Sequence, residues 1–117
     1  MKNELMTKLL WSTIEDYAGL WELNWEVNSI LEKDYTCNME LTKKILLHFL
    51  QIGLIKLYFN KWGEDQIQEI RRQEAIEVLE NEEYWSPPKL NDLCIKTGNT
   101  KKGEKYYYED LISEIEL

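Results

Sequence analysis

Apolar residues recur at helical spacing over three stretches of the first half of the chain and then switch to the alternation of a strand. In residues 4–16, ELMTKLLWSTIED, Leu5, Leu9 and Ile14 fall near one side, with Met6, Leu10 and Trp11 broadening it, which predicts a first helix. Asp16 to Gly19 interrupts the pattern. Leu20, Leu23, Val27, Ile30 and Leu31 then restore it, so a second helix is expected over 20–31, carrying Trp21 and Trp25 on a flank beside Glu22 and Glu26. Residues 32–38 read as a polar turn with Asn38 as N-cap of a third helix, in which Leu41, Ile45, Phe49 and Ile52 share a face. Gly53 offers a left-handed stop, and LIKLYFNKW passes at once into a strand whose Leu54, Ile55, Leu57 and Phe59 belong to the same core.

Beyond a turn at 63–65, Gln66 to Asn81 reads as a fourth helix with Ile67, Ile70, Ala75, Ile76, Val78 and Leu79 inward and an acidic outer face. The prolines of YWSPP end it and push Ser86 out of helical conformation, with Trp85 folding back over the core. Leu90 to Thr97, with Leu93 and Ile95 alternating against polar neighbours, reads as a strand pairing with 54–61. Thr100 caps a last helix through KKGEKYYYEDLISEIE, in which Gly103 weakens the first turn by about 1 kcal/mol relative to Ala. The expected class is α+β and mainly helical, with a small antiparallel sheet.

At 117 residues, without a linker or an internal repeat, the chain is read as one domain, 1–117. Five Trp, seven Tyr and 44% hydrophobic residues argue for a folded protein. No apolar run approaches the roughly 20 residues that cross a bilayer, and MKNELMTK lacks the apolar segment of a signal peptide, so a soluble, cytoplasmic protein with no membrane contact is expected. Cys37 and Cys94 belong to no CxxC or Cys/His cluster, which argues against zinc and for two wholly or partly buried thiols in a reducing compartment. No cofactor is implied, since GxGxxG, GxxxxGK[ST], GxSxG and HExxH are all missing. His48, the single histidine, has no ligand or catalytic partner at suitable spacing and reads as a structural or surface residue, and no carboxylate pair is singled out by an apolar setting. The expectation is a protein that is not an enzyme.

The order of elements resembles a bacterial winged helix-turn-helix domain. The resemblance rests on the Gly53-Leu54-Ile55 step from the third helix into a wing strand and on Thr100 and Gly103 after the return strand. It implies a winged-helix-like three-helix core, with about 30 residues including the Gln66 to Asn81 helix inserted between the wing strands. It also implies a DNA-binding transcriptional regulator as one possible function, reading bases with Lys43, Lys44, His48 and Gln51 and touching phosphates with Lys101, Lys102 and Lys105.

Charge weighs against that use. The chain carries a net −8. Residues 38–53 hold two lysines against Glu40, a net of +1. Residues 14–34 hold six acids against Lys33, a net of −5, and residues 64–83 hold eight acids against Arg71 and Arg72, a net of −6. Such segments meet phosphates with carboxylates, so nucleic acid is an unfavoured partner. The basic and aromatic run Lys101, Lys102, Lys105 and Tyr106 to Tyr108, joined by Lys56, Lys61, Lys89 and Lys96, either stacks on bases or seals the sheet and blunts its edge.

Small size, acidity and abundant Trp and Tyr resemble, in character and without a shared motif, the bacterial immunity proteins that neutralise cationic nuclease toxins. That likeness implies a protein-binding inhibitor of a basic partner. Its candidate contact residues are Glu15, Asp16, Trp21, Glu22, Trp25 and Glu26, or Glu69, Glu74, Glu77, Glu80, Glu82 and Glu83. The competing reading is that these acids only solubilise helical faces.

Overall fold

Leu5, Met6, Leu9 and Leu10 form two adjacent stripes on one helix, and all four are buried. This is α1, Lys2–Glu15, in the computed structural model, which describes residues 2–31 and 35–115. A two-residue strand β1, Ala18–Gly19, leads directly into α2, Leu20–Ile30, whose Leu20, Leu23 and Val27 are buried as the periodicity requires. The long third helix, α3, spans Tyr35–Ile52 and runs into β2, Ile55–Lys61. There follow β3, Ile67–Glu69, then α4, Arg72–Glu80, a 3-10 turn at Glu82–Trp85, β4, Leu93–Asn99, and α5, Lys101–Tyr108. The protein is therefore α+β and mainly helical, with a four-stranded antiparallel sheet in the order β1-β4-β2-β3. Among the described residues no helix is long and apolar enough to cross a membrane.

Four sequence expectations are corrected. Asn38 is not an N-cap: α3 begins before it, and Asn38 is buried within the helix, where its Nδ2 donates to Asn28 Oδ1 at 2.7 Å and to the Leu31 carbonyl at 3.3 Å. Residues 32–34 lie outside the described residues. The expected helix at 66–81 is split, because Ile67–Glu69 pairs with Tyr58, Phe59 and Asn60 of β2. Asn60 fixes that hairpin by donating through Nδ2 to the carbonyls of Glu64 and Gln66, both at 2.9 Å. The return strand begins later than expected and Leu93 is 52% exposed, while Cys94 and Ile95 are both buried. Both faces of β4 are covered, so simple alternation fails there. The last helix stops at Tyr108: Asp110 adopts a positive φ of 55°, and a separate 3-10 turn at Ile112–Glu114 returns Ile112 to the core. The end of the expected helix, at residue 116, lies outside the described residues.

The hinge at Gly53 is where the two halves meet. Gly53 takes φ +82°, and the Leu54 N–H reaches back to the Phe49 carbonyl at 2.9 Å, closing α3. Leu54, Ile55 and Leu57 then enter the core beside Phe49 and Leu50. Thr100 locks the turn from the other side. Its hydroxyl donates to the Gly53 carbonyl at 2.7 Å and accepts from the Gly103 N–H at 3.0 Å, so one side chain binds the end of α3 to the start of α5. Gly103 is required by this approach, since a Cβ there would overlap the Leu54 carbonyl oxygen. Helix propensity alone makes Gly103→Ala stabilising by about 1 kcal/mol. Backbone overlap costs about 1–3 kcal/mol or more, so the variant is expected to be less stable than the parent in urea unfolding. A gain in midpoint would show that α5 does not press on the turn.

Candidate protein-binding groove

Chain reversal between α1 and α2 builds a concavity. After Glu15 the Asp16 carboxylate accepts from the Tyr17 N–H at 2.7 Å, turning the chain. Ala18 and Gly19 pair with Thr97 and Lys96 of β4, and the Thr97 hydroxyl donates to the Ala18 carbonyl at 2.9 Å, which anchors the reversal to the sheet. Helix α2 starts immediately, its first turn capped by Glu22, whose Oε1 accepts from the Gly19 N–H at 3.1 Å. The C-terminal half of α1 thus lies beside α2, leaving a groove of about 520 Å³. Ala18 and Leu23 supply apolar lining, Tyr17 and Trp25 supply exposed rings, and Glu15, Asp16, Glu22 and Glu26 supply four carboxylates against the single ammonium of Lys8.

Five of the six residues proposed from the sequence on this face, Glu15, Asp16, Glu22, Trp25 and Glu26, come together in the groove. Among the described residues none of the four acids has a cationic partner within 4 Å, and Glu26 Oε2 is shielded from solvent with no hydrogen-bond partner. Clustered charge beside low-dielectric walls focuses the negative potential at this face. Trp21 is the exception. It is only 3% exposed and lies over Gly19 on the sheet, edge-on to Trp62 at 5.5 Å, so it is a packing residue and not a contact surface. The same cover of rings includes Lys96, whose Nζ is 5.4 Å from the Trp62 centroid. Cys94 lies buried on this strand, with its thiol pushed up by burial and 3.5 Å from Asn60 Oδ1, whereas Cys37 is exposed, contrary to the expectation of burial.

The second acidic set is less coherent. Glu69 is held 3.1 Å from Lys56, a contact that raises the ammonium above its ordinary range through the hydrogen bond and charge of Glu69. Glu74, Glu77, Glu80, Glu82 and Glu83 are exposed along α4 and the 3-10 turn. Ala75, Val78 and Leu79 anchor that insertion in the core, and Trp85 is buried with its Nε1 donating to the Leu79 carbonyl at 3.0 Å.

The basic residues proposed as DNA contacts differ in exposure. Helix α4 packs on α3. Lys43 is 9% exposed, 5.9 Å from the Trp85 ring centroid and 3.9 Å from Glu40, so it stabilises the insertion and is withdrawn from solvent. This corrects the expectation that Lys43 stands exposed on the third helix. Lys44 and Gln51 are exposed and His48 is half-buried. Lys101, Lys102 and Lys105 are exposed on α5, with Lys102 Nζ 5.8 Å from the Tyr106 centroid.

Sequence reasoning missed Tyr17, Lys8 and Ser12 as groove residues, because Tyr17 reads as a break between helices and the others as the polar side of α1. No group of three His, Cys, Asp or Glu residues suited to a metal ion occurs among the described residues. Comparison with known proteins gives no match among family models, curated proteins or solved structures.

The four carboxylates separate by role. Glu22→Ala removes a helix cap and is expected to lower stability by about 1 kcal/mol. Glu26→Gln removes a shielded, unpartnered charge and is expected to leave the melting temperature unchanged or raise it. Equal losses from both substitutions, measured by thermal unfolding, would contradict this division.

Proposed function

We propose that the protein is a non-enzymatic binding module of the immunity or inhibitor type, acting in the cytoplasm by covering a basic partner protein such as a cationic bacterial nuclease toxin. The observation that carries this reading is the α1–α2 groove, where four carboxylates without cationic partners among the described residues share one concavity with exposed Tyr17 and Trp25. Carboxylates steer a basic partner into encounter, and exposed rings hold it once docked.

The fold is read as winged-helix-like, a reading supported by the helix-strand-helix-helix-strand order and by the pairing of both β1 and β2 with the later strand β4. In that reading β3, α4 and the 3-10 turn are the insertion between the wing strands. The insertion packs against α3, where a DNA reader keeps its recognition helix open to the groove. Burial of Lys43 against Trp85 therefore favours protein contact over use as a transcriptional regulator.

The test is capture from the source cell with the parent protein and with a Glu15→Lys, Glu26→Lys variant, followed by association kinetics at low and high salt. The expected result is one stoichiometric basic protein, with association to the variant slowed at least tenfold at low salt and the difference shrinking as salt rises. Retention of a DNA fragment, or a partner that associates with both forms at the same rate, would overturn the reading.

A further inference from the structure

The groove is rich in acceptors, and its side-chain donors are the Lys8 ammonium, the Tyr17 hydroxyl and the Trp25 indole. Ser12 and Ser29 line it, yet the Ser12 hydroxyl donates to the Lys8 carbonyl at 3.1 Å and the Ser29 hydroxyl to the Glu26 carbonyl at 2.7 Å. Their hydrogens are committed to their own helices, and only lone pairs remain to meet a ligand. Glu15, Asp16, Glu22 and Glu26 add acceptors alone, so Lys8 is the sole charged donor among the lining side chains. Glu26 lines the groove, and among the described residues its solvent-shielded Oε2 has no hydrogen-bond partner to offset its desolvation. A group that brings several N–H donors and a positive charge satisfies this inventory.

The rings narrow the choice of cation. Tyr17 and Trp25 both line the groove and are about half exposed. Tyr17 is held edge-on to Tyr58 at 5.3 Å and lies close over Gly98, where a Cβ would crowd both rings, so its orientation is fixed by the sheet and not by solvent. Guanidinium is planar, weakly hydrated, stacks on aromatic faces and presents five donors in a fixed fork, whereas an ammonium is compact and strongly hydrated.

We propose that the α1–α2 groove is a receptor for an arginine side chain of the protein partner, taken up beside Tyr17 and Trp25 with its guanidinium donating to the Glu26 carboxylate. The proposal rests on the protein-binding reading above and names the group that fills the site. The groove is large enough to admit the backbone on either side of that arginine as well as the side chain itself.

The probe is N-acetyl-arginine N-methylamide, titrated into the full ¹⁵N-labelled chain, with the lysine and citrulline analogues as controls. The expected result is saturable shifts of the Trp25 indole and of the Tyr17 and Glu26 amides. The lysine probe is expected to bind at least fivefold more weakly, the citrulline probe to produce no shift, and Glu26→Gln to weaken the arginine probe at least tenfold with its melting temperature maintained. Equal binding of the arginine and lysine probes, unchanged binding to Glu26→Gln, or no shift with any probe would each overturn the arginine site. Those outcomes leave the capture result standing, because a basic partner can dock on the acidic face without inserting a side chain, whereas failure of capture removes the protein-binding reading itself.

Discussion

The hydroxyl of Thr100 is the point on which the architecture turns. It accepts from Gly103 and donates to Gly53, so the end of α3, the entry to β2 and the first turn of α5 are one hydrogen-bonded unit. Residues nearly fifty positions apart are thereby brought into register, and the seven-residue pairing of β2 with β4 propagates from that end. Gly103 serves the same closure sterically by letting a helix rest on a strand's carbonyl. Once β4 is placed, its far side receives Ala18 and Gly19, and that pairing holds the reversal between α1 and α2. The groove is thus a consequence of the sheet: without β4 as a backing strand, nothing would keep Tyr17 and the first turn of α2 beside the end of α1.

Within this frame the charged residues sort by what they touch. Lys43 and Lys96 lie against the Trp85 and Trp62 rings, and Lys56 pairs with Glu69 at the surface. Glu22 closes a helix. Glu15 and Glu26 have no such partner among the described residues, and they share the groove with exposed rings. An exposed acid ordinarily contributes to solubility and little else. The shielded Glu26 Oε2 is different, because among the described residues no donor compensates its desolvation.

Periodicity made the helical half of the fold legible: the buried stripes of α1, α2 and α3, the stop at Gly53 and the cap at Thr100 all follow from residue spacing and type. It failed where tertiary pairing overrode local pattern. Ile67 and Ile70 fit a helix that continues to Leu79, but the open edge of β2 takes Ile67–Glu69 as a strand. Asn38 carries the chemistry of a cap, yet it is spent on Asn28 across a helix pair. Leu93 looked buried and is not, whereas its neighbour Cys94 is buried with its thiol beside Asn60 of the adjacent strand, a contact that no local window contains. The groove was half legible. Its acids and Trp25 stand out in sequence, while Trp21, four residues earlier and chemically identical, is turned over Gly19, where its ring takes the space of a Cβ.

The central claim is that the face formed by α1 and α2 meets the partner. Hydrogen exchange of the full chain, alone and bound to the basic protein it captures, tests this most directly. The account predicts slowed exchange concentrated in residues 8–29, with the exposed side of α3 and the lysines of α5 unaltered. Protection over α3 and α5 with no change in the groove would contradict it.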